Sequence, residues 1–133
     1  KFPSFVEKRR HNFDRLKAGL QGLDDKIILP EPAPNSKPSW FGFLITCKEG
    51  IDRNRVVQAI EDQGIQTRML FAGNLIKHPC FDEMRRMGEG YRVVGEPTNT
   101  DRIMKDTFWV GVYPGMNDAM IDRMAETIRK VLK

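Results

Sequence analysis

The chain has 133 residues, of which 40% are hydrophobic and 30% charged, with a net charge of +4, the balance of one soluble-type globular domain able to bury a core without staples. The longest apolar run, Trp40 to Ile45, is strand-length, which excludes a membrane span of ~18 residues. Mild, interspersed charge permits an anionic ligand such as a nucleotide diphosphate but does not argue for nucleic acid.

Phe5, Phe13, Leu16, Leu20 and Leu23 recur at helical spacing, with Ser4 placed to cap the start and Gly22 to end a long amphipathic helix. Its basic turn, Lys8-Arg9-Arg10-His11, reads as a solvated face or a weak nucleic-acid contact. Lys26 to Leu29 reads as a short strand. Pro30, Pro32, Pro34 and Pro38 then force an extended, polyproline-like connection. Ser39 to Lys48 is the next strand. Asp52 caps a helix carrying Val56, Val57 and Ile60 and ending at Gly64. Ile65 to Phe71 forms a third strand. Ala72 to Asn99 is irregular, with a short helix at Phe81 to Met87 and a turn at Gly88 to Gly90. Asp101 starts a short turn through Lys105, Thr107 to Val112 is a strand, and Asn117 caps a last helix with Met120, Ile121, Met124, Ile128 and Val131 on one stripe. This order predicts a single α+β domain over residues 1–133, two-layered, with a mainly antiparallel sheet covered by the first, middle and last helices.

Some positions carry possible chemistry. Arg68 stands in an otherwise apolar strand, where it must face solvent, pair with an acid or bind an anion. Gly73-Asn74 is either a plain turn or a chain reversal that presents an amide to a ligand. In Trp40-Phe41-Gly42-Phe43 one aromatic side belongs to the core, and the other packs likewise or lines a pocket or domain interface. Asp101 is the capping candidate beside Arg102, which leaves Arg102 to project or to form a surface ion pair. His11 and His78 have no partner at catalytic spacing. Two distant thiols, Cys47 in a core strand and Cys80 in a loop, form no zinc or iron–sulfur site. There is no Gly-rich phosphate loop, nucleophile motif or metal-ligand cluster, so a self-sufficient enzyme is not expected.

Pro38 to Phe43, Thr67 to Asn74, Tyr91 to Gly95 and Asn99 to Gly115 together resemble the CDP-4-keto-6-deoxyglucose 3-dehydrase branch of the DegT-type sugar aminotransferase family. The resemblance covers nearly the whole chain and implies the small C-terminal domain of a fold-type-I pyridoxal-phosphate enzyme. The absence of an initiator Met at Lys1-Phe2-Pro3-Ser4 agrees with an excised portion of a longer protein. By resemblance, Arg102 corresponds to a catalytic arginine and Phe41 to an aromatic near cofactor and sugar. Arg68 and Asn74 fall in a signature of the branch and are expected to bind substrate.

The resemblance further implies pyridoxal or pyridoxamine phosphate and a [2Fe-2S] cluster, all held by an upstream large domain and none by this segment. The implied substrate is a nucleotide-linked keto-deoxysugar, in deoxysugar and O-antigen synthesis. The implied partners are the chain's own large domain, a second subunit and an electron-donating reductase, in the cytoplasm, with no nucleic acid and no membrane. A plain sugar aminotransferase of the same family is the alternative, decided by an upstream lysine or histidine. A small regulatory or RNA-binding α+β module is the further one.

Overall fold

The alternation of side chains along the strands decides the architecture, and the computed structural model, which describes residues 2–133, shows it directly. Four antiparallel strands, β1 (Ile27–Ile28), β2 (Gly42–Cys47), β3 (Thr67–Met69) and β4 (Thr107–Gly111), pair in the spatial order β1-β2-β4-β3. In an antiparallel sheet directly opposed residues share a face. The register sets Val110 between Phe43 and Thr67, and Ile45 beside Phe108. Phe43, Ile45, Phe108 and Val110 are fully buried under the helices.

Helix α1 (Phe2–Gly19) lies against α5 (Asp118–Val131), and α2 (Arg53–Glu61) packs beside α5. The α1–α5 crossing is close, since a Cβ at Gly19 would lie 2.7 Å from that of Ala125. Arg15 grips Asp122 with two 2.7 Å bonds, and Arg129 donates to the carbonyls of Gly19 and Gln21, which the end of α1 leaves unpaired. The buried amide of Asn12 donates to the Tyr113 carbonyl at 2.8 Å and ties α1 to the segment after β4. The proline-rich connection crosses α1 as a strap, with Arg10 Nε donating to the Pro38 carbonyl and Lys17 paired with Glu31; the extended run expected there is interrupted by a turn in which Asn35 takes a φ of +60° and Ser36 N–H donates to the Ala33 carbonyl. Asp52 caps α2 by accepting from the Asn54 and Arg55 amides, and Asn117 caps α5 through the Met120 amide.

The predicted α+β, antiparallel fold is thus the observed one, with corrections at element ends. Helix α1 begins before Ser4, and Phe5 remains half-exposed instead of joining the Phe13–Leu16–Leu20 stripe. Strand β2 begins at Gly42 instead of Ser39, because Trp40 leaves the sheet to stack on Phe13 at 5.7 Å. Strand β3 stops at Met69, because Phe71 takes a left-handed φ of +48° and folds the chain back. The turn expected at Asp101 is a nine-residue helix, α4 (Thr98–Asp106), preceded by Pro97. Arg53 supports its far end by donating to the Met104 and Lys105 carbonyls. A short helix, α3 (Asp82–Met87), and two 3-10 turns, Leu75–Lys77 and Pro79–Phe81, occupy the irregular stretch. Met120, placed in the apolar stripe of α5 by its spacing, is 54% exposed.

This division of the sheet into a buried and an open side makes a quantitative prediction. Phe108→Ala, on the helix-covered face, is expected to destabilise by about 3–5 kcal/mol. Phe41→Ala, beside the open face, is expected to cost less than ~1 kcal/mol. Urea unfolding of both variants checks the contrast.

Candidate functional site

The open face begins with what the alternation leaves over. Trp109 points away from Phe108 and Val110, and the register places it between Leu44 and Arg68 in one row across the sheet. A Cβ at Gly42 would fall 2.5 Å from Trp109 Cε3, so the missing side chain at Gly42 is what lets the indole lie across β2. The indole N–H donates to the Met69 carbonyl at 3.2 Å. Phe41 meets the indole edge-on, ring centres 5.0 Å apart, and is 55% exposed.

These side chains wall an apolar hollow of about 330 Å³, bounded by Phe41, Leu44, Leu70, Phe71 and Trp109. At the other side of Trp109 a second hollow, about 370 Å³, is lined by Arg68, Gly111, Met116, Met120 and Arg123. Arg68 is exposed, and among the described residues its guanidinium donates only to the neighbouring Thr67 carbonyl, at 2.9 Å. Phe41 and Arg68 therefore flank one aromatic centre, Trp109, which the sequence reading did not single out. Its signal was available in the strand alternation of Thr107-Phe108-Trp109-Val110.

Arg102 lies elsewhere. It is exposed on α4 in a separate cleft of about 770 Å³, shared with Asp52, Arg53, Lys105 and Asp106. Asp101 does not cap α4; it accepts from Lys77 at 2.7 Å and from the Asn74 amide at 2.7 Å. The Lys77 ammonium, and then the Asn74 amide, hold the Asp101 carboxyl below the usual carboxylate range. Asn74 is 4% exposed, and its side chain fastens the turn after β3 onto α4. Gly73 seats against Met104 at the same junction, where a Cβ would come within 2.5 Å of Met104 Cγ. Of the four residues singled out, Phe41 and Arg68 share a neighbourhood, while Asn74 lies one residue from Arg102 only through its bond to Asp101.

Among the described residues, no lysine or histidine lines the two hollows beside Trp109. They offer apolar wall and positive charge but no amine to carry a cofactor aldehyde, so pyridoxal phosphate finds no covalent anchor in them. Burial pushes the Cys47 thiol up to about 11, which keeps it protonated and unreactive. Among the described residues, no three His, Cys, Asp or Glu side chains gather where they could hold a metal ion, and no helix is long and apolar enough to cross a membrane. The basic turn of α1 is partly spent on internal contacts: Arg10 binds the proline strap and His11 meets Asp118 at 2.8 Å.

The sequence matches the family described as the DegT/DnrJ/EryC1/StrS aminotransferase family over residues 1–129. It is 51% identical over 120 residues to a lipopolysaccharide biosynthesis protein, RfbH, of Salmonella typhimurium, covering 89% of this chain and 26% of that protein. It is 45% identical over 130 residues to a dTDP-4-dehydro-2,6-dideoxy-D-glucose 3-dehydratase of Saccharopolyspora spinosa, covering 96% of this chain and 27% of that one. The chain thus spans about a quarter of the length of these curated relatives. Its fold is that of the E. coli GDP-4-keto-6-deoxy-D-mannose-3-dehydratase solved with bound hydrated PLP, with a TM-score of 0.80 at 23% identity over 96% of this chain and 32% of that chain.

The tether at Asp101 carries a pH prediction. A depressed folded-state pKa adds stability that is complete above the unfolded aspartate value, ~3.9, and is lost as pH falls through the lower folded value. Protease resistance of the 72–99 stretch is therefore expected to persist at pH 4 and to fall at lower pH. Asp101→Asn should weaken that resistance at neutral pH and flatten its acid dependence, and timed proteolysis across pH checks both.

Proposed function

The match over residues 1–129 places this chain in the DegT/DnrJ/EryC1/StrS aminotransferase family, and from that membership we propose that it forms the C-terminal part of a sugar-nucleotide 3-dehydratase. The substrate of this reading is a nucleotide-linked 4-keto-6-deoxy sugar, deoxygenated at C3 in the assembly of lipopolysaccharide deoxysugars. The observation that carries it is the pair of relatives at 51% and 45% identity, one named for lipopolysaccharide biosynthesis and the other for 3-dehydration. The geometry supports it from the other side. The chain has an aromatic wall at Phe41 and Trp109, and the exposed guanidinium groups of Arg68 and Arg102 have no acidic partner among the described residues.

In this reading the chain's own residues bind and orient. Phe41 supplies an apolar wall and Arg68 a two-pronged cation suited to phosphate or carboxylate. Arg102 supplies positive charge where negative charge develops. Asn74 acts by holding the β3–α4 junction that carries Arg102, with direct substrate contact as its second role. The cofactor, pyridoxamine phosphate, supplies an electron sink when bound, and its binding belongs to the large domain, as does the [2Fe-2S] cluster. A second subunit, an electron-donating reductase and a cytoplasmic setting complete the proposal.

Two measurements test it. In the full-length enzyme, Arg102→Ala is expected to lower turnover by a few tens to several hundredfold, the equivalent of about 2–4 kcal/mol, with the fold intact. Arg102→Lys should restore only part of this, because a point charge does not replace a planar fork. An exposed ion pair would be worth less than about 1 kcal/mol, so wild-type turnover in a folded Arg102→Ala enzyme rejects the assignment. Separately, titration of the 133-residue chain with pyridoxal phosphate, followed by absorbance, is expected to show no saturable micromolar binding.

A further inference from the structure

A buried polar atom without a hydrogen-bond partner costs free energy, so each one needs a reason. Among the described residues two side-chain atoms are in that position, Arg9 Nε and Ser39 Oγ. Arg9 keeps the remaining N–H groups of its guanidinium, whereas Ser39 has nothing but its hydroxyl. A serine in a connecting segment ordinarily bonds a nearby backbone group. Ser36, in the same proline-rich strap, does so by donating to the Ala33 carbonyl at 2.7 Å. Ser39, further along the strap, does not.

Ser39 stands where a hydroxyl has a use. It lines the hollow of about 330 Å³ that Phe41, Leu70, Phe71 and Trp109 wall. The indole N–H of Trp109 is already given to the Met69 carbonyl, and Trp40 turns its ring away to stack on Phe13. Among the described residues lining the hollow, Ser39 brings the one hydroxyl, able both to donate and to accept, into an otherwise apolar setting. That is a poor match to a sugar with hydroxyls on every carbon. It matches a sugar from which most of them have been removed.

We propose that Ser39 is a specificity-determining residue, whose hydroxyl binds the C2 hydroxyl of the sugar. This rests on the reading above, that the substrate is a nucleotide-linked 4-keto-6-deoxy sugar losing its C3 oxygen. Such a sugar is joined to the nucleotide at C1, has a carbonyl at C4, the ring oxygen at C5 and a methyl at C6. Its hydroxyls are those of C2 and C3. The C3 hydroxyl leaves with a proton supplied to it. Among the described residues lining the hollow there is no Asp, Glu, His or Lys, and a serine hydroxyl with no such group behind it does not supply that proton. Ser39 therefore suits the hydroxyl that stays. C2 is also a position at which sugar substrates of this kind differ, since the Saccharopolyspora spinosa relative is named for a 2,6-dideoxy sugar.

The test compares the full-length wild-type enzyme with Ser39→Ala on two ligands, a nucleotide-linked 4-keto-6-deoxyhexose bearing a C2 hydroxyl and its 2-deoxy counterpart. With the 2-hydroxy sugar the variant is expected to raise KM by about three- to tenfold at nearly constant kcat, because the contact is the same before and during the reaction. The 2-deoxy sugar, read by its KM or by its Ki as a competitor, should bind both proteins equally. The same change on both sugars, or none on either, overturns the proposal. So does a fall in kcat at constant KM, which would set Ser39 at the departing C3 oxygen. Melting of the ligand-free proteins gives a readout independent of turnover. Removing an unpartnered buried hydroxyl should leave the melting temperature unchanged or raise it; a variant melting several degrees lower makes Ser39 structural and overturns the proposal. A wild-type enzyme that neither turns over nor binds either sugar rejects the dehydratase reading and this proposal with it. An active enzyme whose Ser39→Ala variant treats the two sugars alike rejects the role of Ser39 alone.

Discussion

The structure depends on the two-sidedness of β4. Between β2 and β3, it turns Phe108 and Val110 into the helices and Trp109 out to the opposite face. Burying the first two beside Phe43 and Ile45 provides the main hydrophobic stabilisation of the sheet, and the same pleat fixes where Trp109 must stand. A slip of one residue in register would exchange the faces, placing the indole in the core and two large apolar groups outside. The position of the open-face aromatic cluster is therefore enforced by the core.

The cations are positioned differently. Arg68 inherits its place from the sheet, as the cross-strand neighbour of Trp109. Arg102 depends on α4, which is held at one end by the Asn74–Asp101–Lys77 cluster and at the other by Arg53 on its final carbonyls. These are polar contacts near the surface, individually weak compared with core burial. Arg102 is thus carried by a helix fastened through polar contacts, whereas Arg68 is carried by a strand of the core sheet.

This difference also explains what could be read from the sequence. The core elements were legible because their patterns answer to one periodicity: Phe13, Leu16 and Leu20 in α1, Val56, Val57 and Ile60 in α2, Phe108 and Val110 in β4. The caps at Asp52 and Asn117 were legible because a side-chain oxygen before an apolar helix has one obvious use. Errors fell where long-range contact overrides local preference. Asp101 has the chemistry of a cap, but an ammonium and an amide brought in from residues 74 and 77 claim its oxygens. Trp40 has the propensity of a strand residue, but Phe13 draws it out of the sheet. Phe71 could not be anticipated, since nothing in its local sequence asks for a positive φ.

The placement of Phe41 and Trp40 shows how one short sequence serves both layers. Adjacent in the chain, they part just before the start of β2: Trp40 goes to Phe13 and the helical core, Phe41 to Trp109 and the open face. Gly42 makes this possible, because a side chain there would strike the indole that Phe41 leans on. The helical layer can then be stabilised without altering the aromatic wall, and the wall can be shaped for an outside surface without opening the core. Stability of the core and the shape of the exposed aromatic surface can therefore be set independently.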